Sequence, residues 1–172
     1  HPGKSGNKYH YLEWAKSVPG VGKAKVFPKY NGPLTMRVAV IDANGALASQ
    51  SLLDEVRSYI ESQMPFGVEE LSIVTASELI IDISGKFILK NGYSWDDVAV
   101  NMKNKVSNYF KEIAFEEGID YVSYAQVGRE ILEVDGIEDY SDLLLNGSNG
   151  NIPIGELEIP VVGGISNDNN TL

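Results

Sequence analysis

The apolar residues of this chain recur at every second position in some segments and at helical spacing in others, which restricts the folds that the chain can adopt. Residues 79–90 show a spacing of two, typical of a strand with one buried face, and residues 94–116 show helical spacing. The strand positions are Ile81, Ile83, Phe87 and Leu89, and the helix positions are Val98, Met102, Val106, Tyr109, Phe110 and Ile113. Because both periods occur in one chain, the sequence predicts an α+β fold.

The remaining segments extend this mixture. Residues 22–42 are predicted to form a hairpin around the turn Asn31-Gly32-Pro33. Pro28 has no backbone N–H, so the first strand of the hairpin is expected at a sheet edge. The other predicted helices cover residues 11–18, 51–62 and 124–132, and the other predicted strands cover residues 71–75, 137–145 and 156–163.

A faint internal repeat suggests two small units. The first copy consists of a helix, the segment Val18-Pro-Gly-Val21, a strand, an Asn-Gly pair and a second strand. The second copy has the same order of elements, with Val134-Asp-Gly-Ile137 following its helix. The repeat suggests a shared helix–hairpin core. We therefore predict two α/β sandwich units, residues 1–76 and 77–165, each with helices packed on a mainly antiparallel sheet. The polar residues 166–172 are expected to be a frayed tail.

Composition excludes several classes of function. The 172 residues contain no cysteine, which excludes a disulfide framework, a thiol nucleophile and Cys-ligated zinc. No apolar run approaches the ~20 residues that span a bilayer. The net charge is −10, with seven basic and one acidic residue in residues 1–37 and one basic and twelve acidic residues in 116–172. The acidic end disfavours nucleic acid, and the asymmetry fits a charged partner, head-to-tail self-association or simple solvation.

No motif assembles a catalytic, cofactor-binding or metal-binding site. Gly3-Lys4-Ser5 is similar to the end of a phosphate-binding loop but lacks the first glycine and a preceding strand. The sequence places no carboxylate beside His1 or His10, the two histidines. The acidic stretch 135–142 does not follow the calcium-loop pattern, and the adjacent Asp96-Asp97 diverge on a helix. We predict no catalytic residue, no cofactor and no metal ligand.

Three lysines alternate along the predicted edge strand. Lys23, Lys25 and Lys29 lie beside Phe27 and Tyr30 in the sequence. Such a stripe is either a binding face or a row of charges that protects an edge strand from unwanted pairing. The sequence leaves both interpretations open.

The order of short segments along nearly the whole chain carries a family resemblance. The segments include Glu13-Trp14-Ala15, Ser17-Val18-Pro19-Gly20-Val21-Gly22, Val26-Phe27-Pro28, Thr35-Met36-Arg37-Val38, Leu79-Ile80-Ile81-Asp82-Ile83-Ser84-Gly85, Tyr124-Ala125-Gln126-Val127-Gly128, Leu143-Leu144-Leu145-Asn146-Gly147 and Glu158-Ile159-Pro160-Val161-Val162-Gly163. In this order they resemble the middle and C-terminal domains of baseplate J-like proteins. The segment Met64-Pro65-Phe66-Gly67-Val68 departs from the family, which has a longer loop there.

The resemblance implies a structural subunit of a contractile phage or prophage-derived tail baseplate, acting by protein–protein assembly in the wedge ring without catalysis. The implied partners are other baseplate wedge proteins and copies of itself, with no nucleic acid, membrane or small-molecule substrate. The implied location is the tail baseplate of the virion, after assembly in the cytoplasm of a bacterial host. Family members are longer, so the chain corresponds to their C-terminal half.

Two alternatives come from other functional classes. One is a small-molecule-binding regulatory domain on a ferredoxin-like sandwich, which requires a deep apolar pocket with a few polar groups. The other is a hydrolase with an unrecognised site. An assembly domain is instead expected to show flat, exposed patches.

Overall fold

The computed structural model describes residues 8–64 and 70–169. Within these residues there are four helices, α1 (Lys8–Ser17), α2 (Gln50–Gln63), α3 (Trp95–Ile113) and α4 (Tyr124–Leu132). The eight strands of the same residues are β1 (Val21–Pro28), β2 (Thr35–Asp42), β3 (Glu70–Val74), β4 (Ser77–Leu89), β5 (Tyr121–Val122), β6 (Ile137–Leu145), β7 (Ile152–Pro153) and β8 (Glu158–Asn167). The chain divides into two compact units between Ser77 and Glu78.

Unit 1 packs α1 and α2 on a three-stranded sheet of order β1-β2-β3. Strand β1 pairs antiparallel with β2 and is an edge strand, as Pro28 indicates. Strand β3 pairs parallel with β2, because the chain crosses over through α2 between them. The central strand β2 is buried almost throughout. The main core residues are Tyr11, Ala15, Val18, Val26, Met36, Val38, Val40, Leu52, Leu53, Val56 and Ile60.

Unit 2 packs α3 and α4 on a three-stranded sheet of order β6-β4-β8, with β5 and β7 forming a separate antiparallel pair. Buried and exposed residues alternate along β4, which confirms the predicted strand. Ser94 caps α3, since its Oγ accepts a hydrogen bond from the Asp97 N–H at 3.3 Å. The core includes Ile81, Ile83, Phe87, Val98, Met102, Val106, Phe110, Val122, Val127, Ile131, Ile137, Leu143 and Leu145.

The predicted common helix–hairpin core is wrong for the second unit. In unit 1 the two strands after α1 are hydrogen-bonded neighbours. In unit 2 the two long strands after α4, β6 and β8, lie on opposite sides of β4. The thirteen-residue β4 precedes them in the chain and occupies the central position. The α+β fold class holds, whereas the two units differ in strand connectivity.

The predicted frayed tail of residues 166–172 starts with residues that are held by hydrogen bonds. Strand β8 continues to Asn167, whose side-chain Oδ1 accepts the Phe87 N–H at 2.9 Å and whose Nδ2 donates to the Phe87 carbonyl at 3.2 Å. The Asp168 N–H also donates to the Gly85 carbonyl at 2.7 Å. These bonds hold residues that a purely compositional argument treats as loose. Residues 170–172 lie outside the described part of the chain.

Candidate functional site

A polar pocket of about 640 Å³ opens on the surface of unit 1 where the β1–β2 turn, α2 and β3 come together. We call it the arginine pocket, and its lining residues are Tyr30, Asn31, Arg37, Arg57, Glu70, Leu71 and Ser72. Only one of these seven is aliphatic. The pocket therefore suits a polar or charged partner group better than an apolar ligand.

A hydrogen-bonded turn positions the tyrosine of this pocket. Lys29 has a φ of 58°, and its N–H donates to the Thr35 carbonyl at 2.7 Å, which closes the turn. The buried Thr35 hydroxyl donates to the Gly32 carbonyl at 2.7 Å and accepts the Asn31 N–H at 3.0 Å. These bonds fix the backbone on both sides of Tyr30.

The parallel register of β2 and β3 positions the first arginine. Arg37 lies opposite Ser72 in this register, and its Nε donates to the Ser72 Oγ at 3.3 Å. The Arg37 guanidinium carbon lies 4.3 Å from the centre of the Tyr30 ring, a cation–π distance. Arg37 is thus held from two sides.

The other charged residues of the pocket have partners of their own. The Tyr30 hydroxyl donates a hydrogen bond to the Glu70 carboxylate, and this bond is the main reason that the pKa of Tyr30 is raised. Arg57 extends from α2 and forms an ion pair with Glu61 at 3.7 Å. Glu70 is therefore engaged by a tyrosine rather than by either arginine in the contacts of the described residues.

A second concavity, of about 830 Å³, lies on unit 1 where α1 ends against α2. It is lined by Ser17, Val18, Pro19, Ser51, Asp54, Glu55, Ser58 and Tyr59. It combines the carboxylates of Asp54 and Glu55 with the apolar surfaces of Val18, Pro19 and Tyr59. Both concavities are open to solvent, so neither has the deep apolar shape that a small-molecule regulatory domain requires.

The lysine stripe is only partly where the sequence suggests. Lys23 and Lys25 are half-buried on the edge strand β1, whereas Lys29 is exposed in the turn. Tyr30 turns toward Arg37 and Glu70 instead of joining a lysine face. The structure therefore does not gather these residues into one binding surface.

Other residues that the sequence raised as candidates for a metal site make contacts within the fold. His10 lies beside Trp14 on α1, with ring centres 5.9 Å apart. Asp142 forms an ion pair with Lys86 at 3.4 Å, and the Asp139 carboxylate accepts its neighbour's backbone N–H at 2.8 Å. Among residues 8–64 and 70–169, no three potential metal-ligating side chains come together. His1, Gly3-Lys4-Ser5 and residues 65–68 lie outside the described part.

Burial raises the pKa of three tyrosine hydroxyls, those of Tyr11, Tyr109 and Tyr140. The Tyr11 hydroxyl donates to the Met64 Sδ at 3.2 Å, and the Tyr109 hydroxyl accepts the Ser123 N–H at 3.1 Å. These groups contribute to packing.

Sequence reasoning missed the arginine pocket as a site. Arg37 entered the argument as one positive charge of the basic segment and as part of the family segment Thr35-Met36-Arg37-Val38, and Arg57, Glu70 and Ser72 did not enter it. A signal was present, because Arg37 is a charged residue between the apolar Met36 and Val38 of β2. That signal does not reveal the partners, which come from β3 and α2.

The fold and surface define a class first: a protein of two consecutive, small α+β units with open polar concavities. Residues 3–75 match the baseplate J-like central domain, and residues 81–168 match the baseplate J-like protein C-terminal domain. The chain belongs to the baseplate J-like family, which confirms the resemblance seen in the sequence.

Individual relatives agree with this assignment. The chain is 34% identical over 169 residues to the phage-like element PBSX protein XkdT of Bacillus subtilis strain 168, covering 92% of this chain and 47% of that protein. It is also 34% identical over 172 residues to the uncharacterized protein YqbT of the same organism, covering 94% of this chain and 48% of that protein. The chain thus spans about half the length of these relatives.

A solved structure shares the fold. A chain of the cryo-EM structure of the anti-feeding prophage baseplate, symmetrised six-fold, superposes with a TM-score of 0.61 at 10% identity, covering 91% of this chain and 37% of that one. At this identity the likeness shows the fold alone. No helix in the described residues combines the length and apolarity needed to cross a membrane.

Proposed function

We propose that this protein is a structural subunit of a contractile tail baseplate, of a phage or a prophage-derived particle. The observation that carries the proposal is the match of both units, in order, to two consecutive baseplate J-like domains. The relative XkdT belongs to a phage-like element, and the solved structure with the same fold is a baseplate. The function is assembly through protein–protein contacts, without catalysis.

The fold likeness to a six-fold symmetrised baseplate supports a place in a ring. We propose that the partners are copies of the protein and other proteins of the baseplate wedge. A head-to-tail contact whose rotation closes generates such a ring, because each copy then presents two different surfaces to its two neighbours. The proposed location is the tail baseplate of the particle, assembled in the host cytoplasm.

The charge asymmetry supports a head-to-tail contact between copies. The basic segment 1–37 and the acidic segment 116–172 lie in different units. Complementary charges would mainly set partner choice and encounter rate, and salt would screen them. Because Lys23 and Lys25 are half-buried, reversing their charge also disturbs packing, so exposed residues are better probes.

The test is genetic and structural. In the host that carries the gene, we expect its deletion to leave tails without baseplates, as seen by electron microscopy of induced particles. The intact gene supplied in trans should restore them, and an early stop codon in that copy is the matched control. Normal baseplates in the deletion strain would contradict the proposal.

A further inference from the structure

We propose that the arginine pocket of one copy receives the carboxylate of Glu138 from strand β6 of a neighbouring copy. The inference rests on the proposed function, since it specifies one contact of the proposed ring.

The guanidinium of Arg37 is held in place, but some of its N–H donors form no hydrogen bond within residues 8–64 and 70–169. Its Nε donates to the Ser72 Oγ, and its central carbon lies 4.3 Å from the centre of the Tyr30 ring. Within residues 8–64 and 70–169, its two terminal nitrogens have no hydrogen-bond or ion-pair partner. Because the neighbouring Glu70 accepts from Tyr30, the pocket keeps a rigid arginine fork beside an open volume of about 640 Å³.

A carboxylate matches this fork better than other anions do. The guanidinium presents parallel N–H donors that a planar carboxylate can accept in pairs. Glu70 in the wall would repel a polyanion, and the net charge of −10 disfavours nucleic acid. Tyr30 and Leu71 add a surface against which the carbon chain of a glutamate can pack.

Strand β6 of unit 2 supplies suitable carboxylates. It is an edge of the sheet β6-β4-β8, and Glu138, Asp139 and Asp142 are all exposed on it. Asp142 pairs with Lys86, and Asp139 accepts a neighbouring backbone N–H. Glu138 has no such partner in the described part of the chain.

A β-bulge also distinguishes Glu138 from the other acidic residues of β6. Asp139 pairs with Ile88 and Ile137 pairs with Leu89, so the residue between them has no counterpart on β4. Bulges commonly re-aim a side chain at a functional surface. Because the pocket lies in unit 1 and Glu138 in unit 2, the contact joins different surfaces of the two copies, which is compatible with the head-to-tail contact of a closed ring.

The absence of cysteine in the chain allows a direct test by cross-linking. Chains with Asn31→Cys, in the pocket wall, are mixed with chains carrying Ser141→Cys, exposed on β6, and then oxidised. We expect a disulfide-linked heterodimer. The matched control replaces Asn31→Cys with Asn104→Cys, on the exposed side of α3, and should give only background cross-linking.

Charge variants then test the ion pair itself. Arg37→Gln in the first chain or Glu138→Gln in the second should lower the cross-linking yield about tenfold. The swap of Arg37→Glu with Glu138→Arg should restore much of it, which a merely unfolded variant cannot do. Exposed Lys103→Gln and Glu117→Gln should leave the yield unchanged.

The inference is overturned if the pocket and β6 cysteines cross-link no better than the control pair, or if neither charge variant lowers the yield. Such a result leaves the proposed function standing when the deletion strain lacks baseplates. If instead cross-linking behaves as expected and the deletion strain builds normal baseplates, the contact is real and the baseplate role is wrong.

Discussion

Gly128 shows how one missing side chain sets the distance between a helix and a strand. Glycine inside a helix costs about 1 kcal/mol relative to alanine, so its position in α4 needs a reason. A Cβ built on Gly128 would lie 2.1 Å from the Tyr140 hydroxyl oxygen and 3.1 Å from the ring carbon that bears it. The glycine therefore lets Tyr140 of β6 pack closely against α4.

We predict that Gly128→Ala lowers the free energy of unfolding by about 1–3 kcal/mol, because the clash outweighs the gain in helix propensity. Urea denaturation measures the change. Adding Tyr140→Phe should recover part of the loss, since it removes the clashing oxygen. An alanine variant as stable as the parent chain would show that α4 and β6 separate at little cost.

Strand β4 is held at two places by asparagine side chains rather than by backbone pairing alone. Near its start, the Asn146 Oδ1 accepts the Asp82 N–H at 2.8 Å, and the Nδ2 donates to the Ile80 carbonyl at 3.1 Å. Near its end, Asn167 makes the equivalent pair of bonds with Phe87. The two amides thus act as extensions of β6 and β8 along the longer strand.

We predict that Asn146→Gly destabilises unit 2 by about 1–2 kcal/mol, because two backbone groups lose their partners. Glycine is chosen because Asn146 has a φ of 51°, which glycine adopts without strain. Hydrogen exchange at the Asp82 amide should quicken most.

The matched control for this substitution is Asn149→Gly, at an exposed position of the same loop. It should change the free energy of unfolding, and the free energy of opening that hydrogen exchange reports for the Asp82 amide, by no more than about 0.5 kcal/mol. Equal effects of the two substitutions would mean that loop entropy, and not the amide bonds to β4, determines the result.

At the scale of the whole molecule, residues 8–64 and 70–169 form two cores and two main sheets. Every residue of one core lies before Ser77, and every residue of the other lies after it. No sheet of the described residues contains strands from both units. Stability is therefore expected to reside in each unit separately.

We predict that matched core truncations act on one unit each. Ile60→Ala in α2 and Ile131→Ala in α4 both remove a fully buried side chain and should each cost about 2–5 kcal/mol. Hydrogen exchange should show lost protection in β2 for the first variant and in β4 for the second. Equal loss in both strands from either variant would show that the units unfold as one.

The sequence by itself determined the four helices and the six longer strands of the described residues, whereas it missed the two-residue strands β5 and β7. The parity of Ile81 and Ile83, the cap at Ser94 and the edge position marked by Pro28 are all local patterns, because each depends on the geometry of a few consecutive residues. The ordered segments also identified the family, which the domain matches confirm.

Only the tertiary structure decided which strands became neighbours. Period and parity are the same whether β6 pairs with β8 or with β4. The choice therefore depends on packing between residues 48 to 62 positions apart in the β4–β6 pairs. For the same reason, the contacts of Arg37 with Tyr30 and Ser72 depend on the pairing of β1 and β3 on either side of β2. The arginine pocket is a product of strand order, which no local spacing encodes.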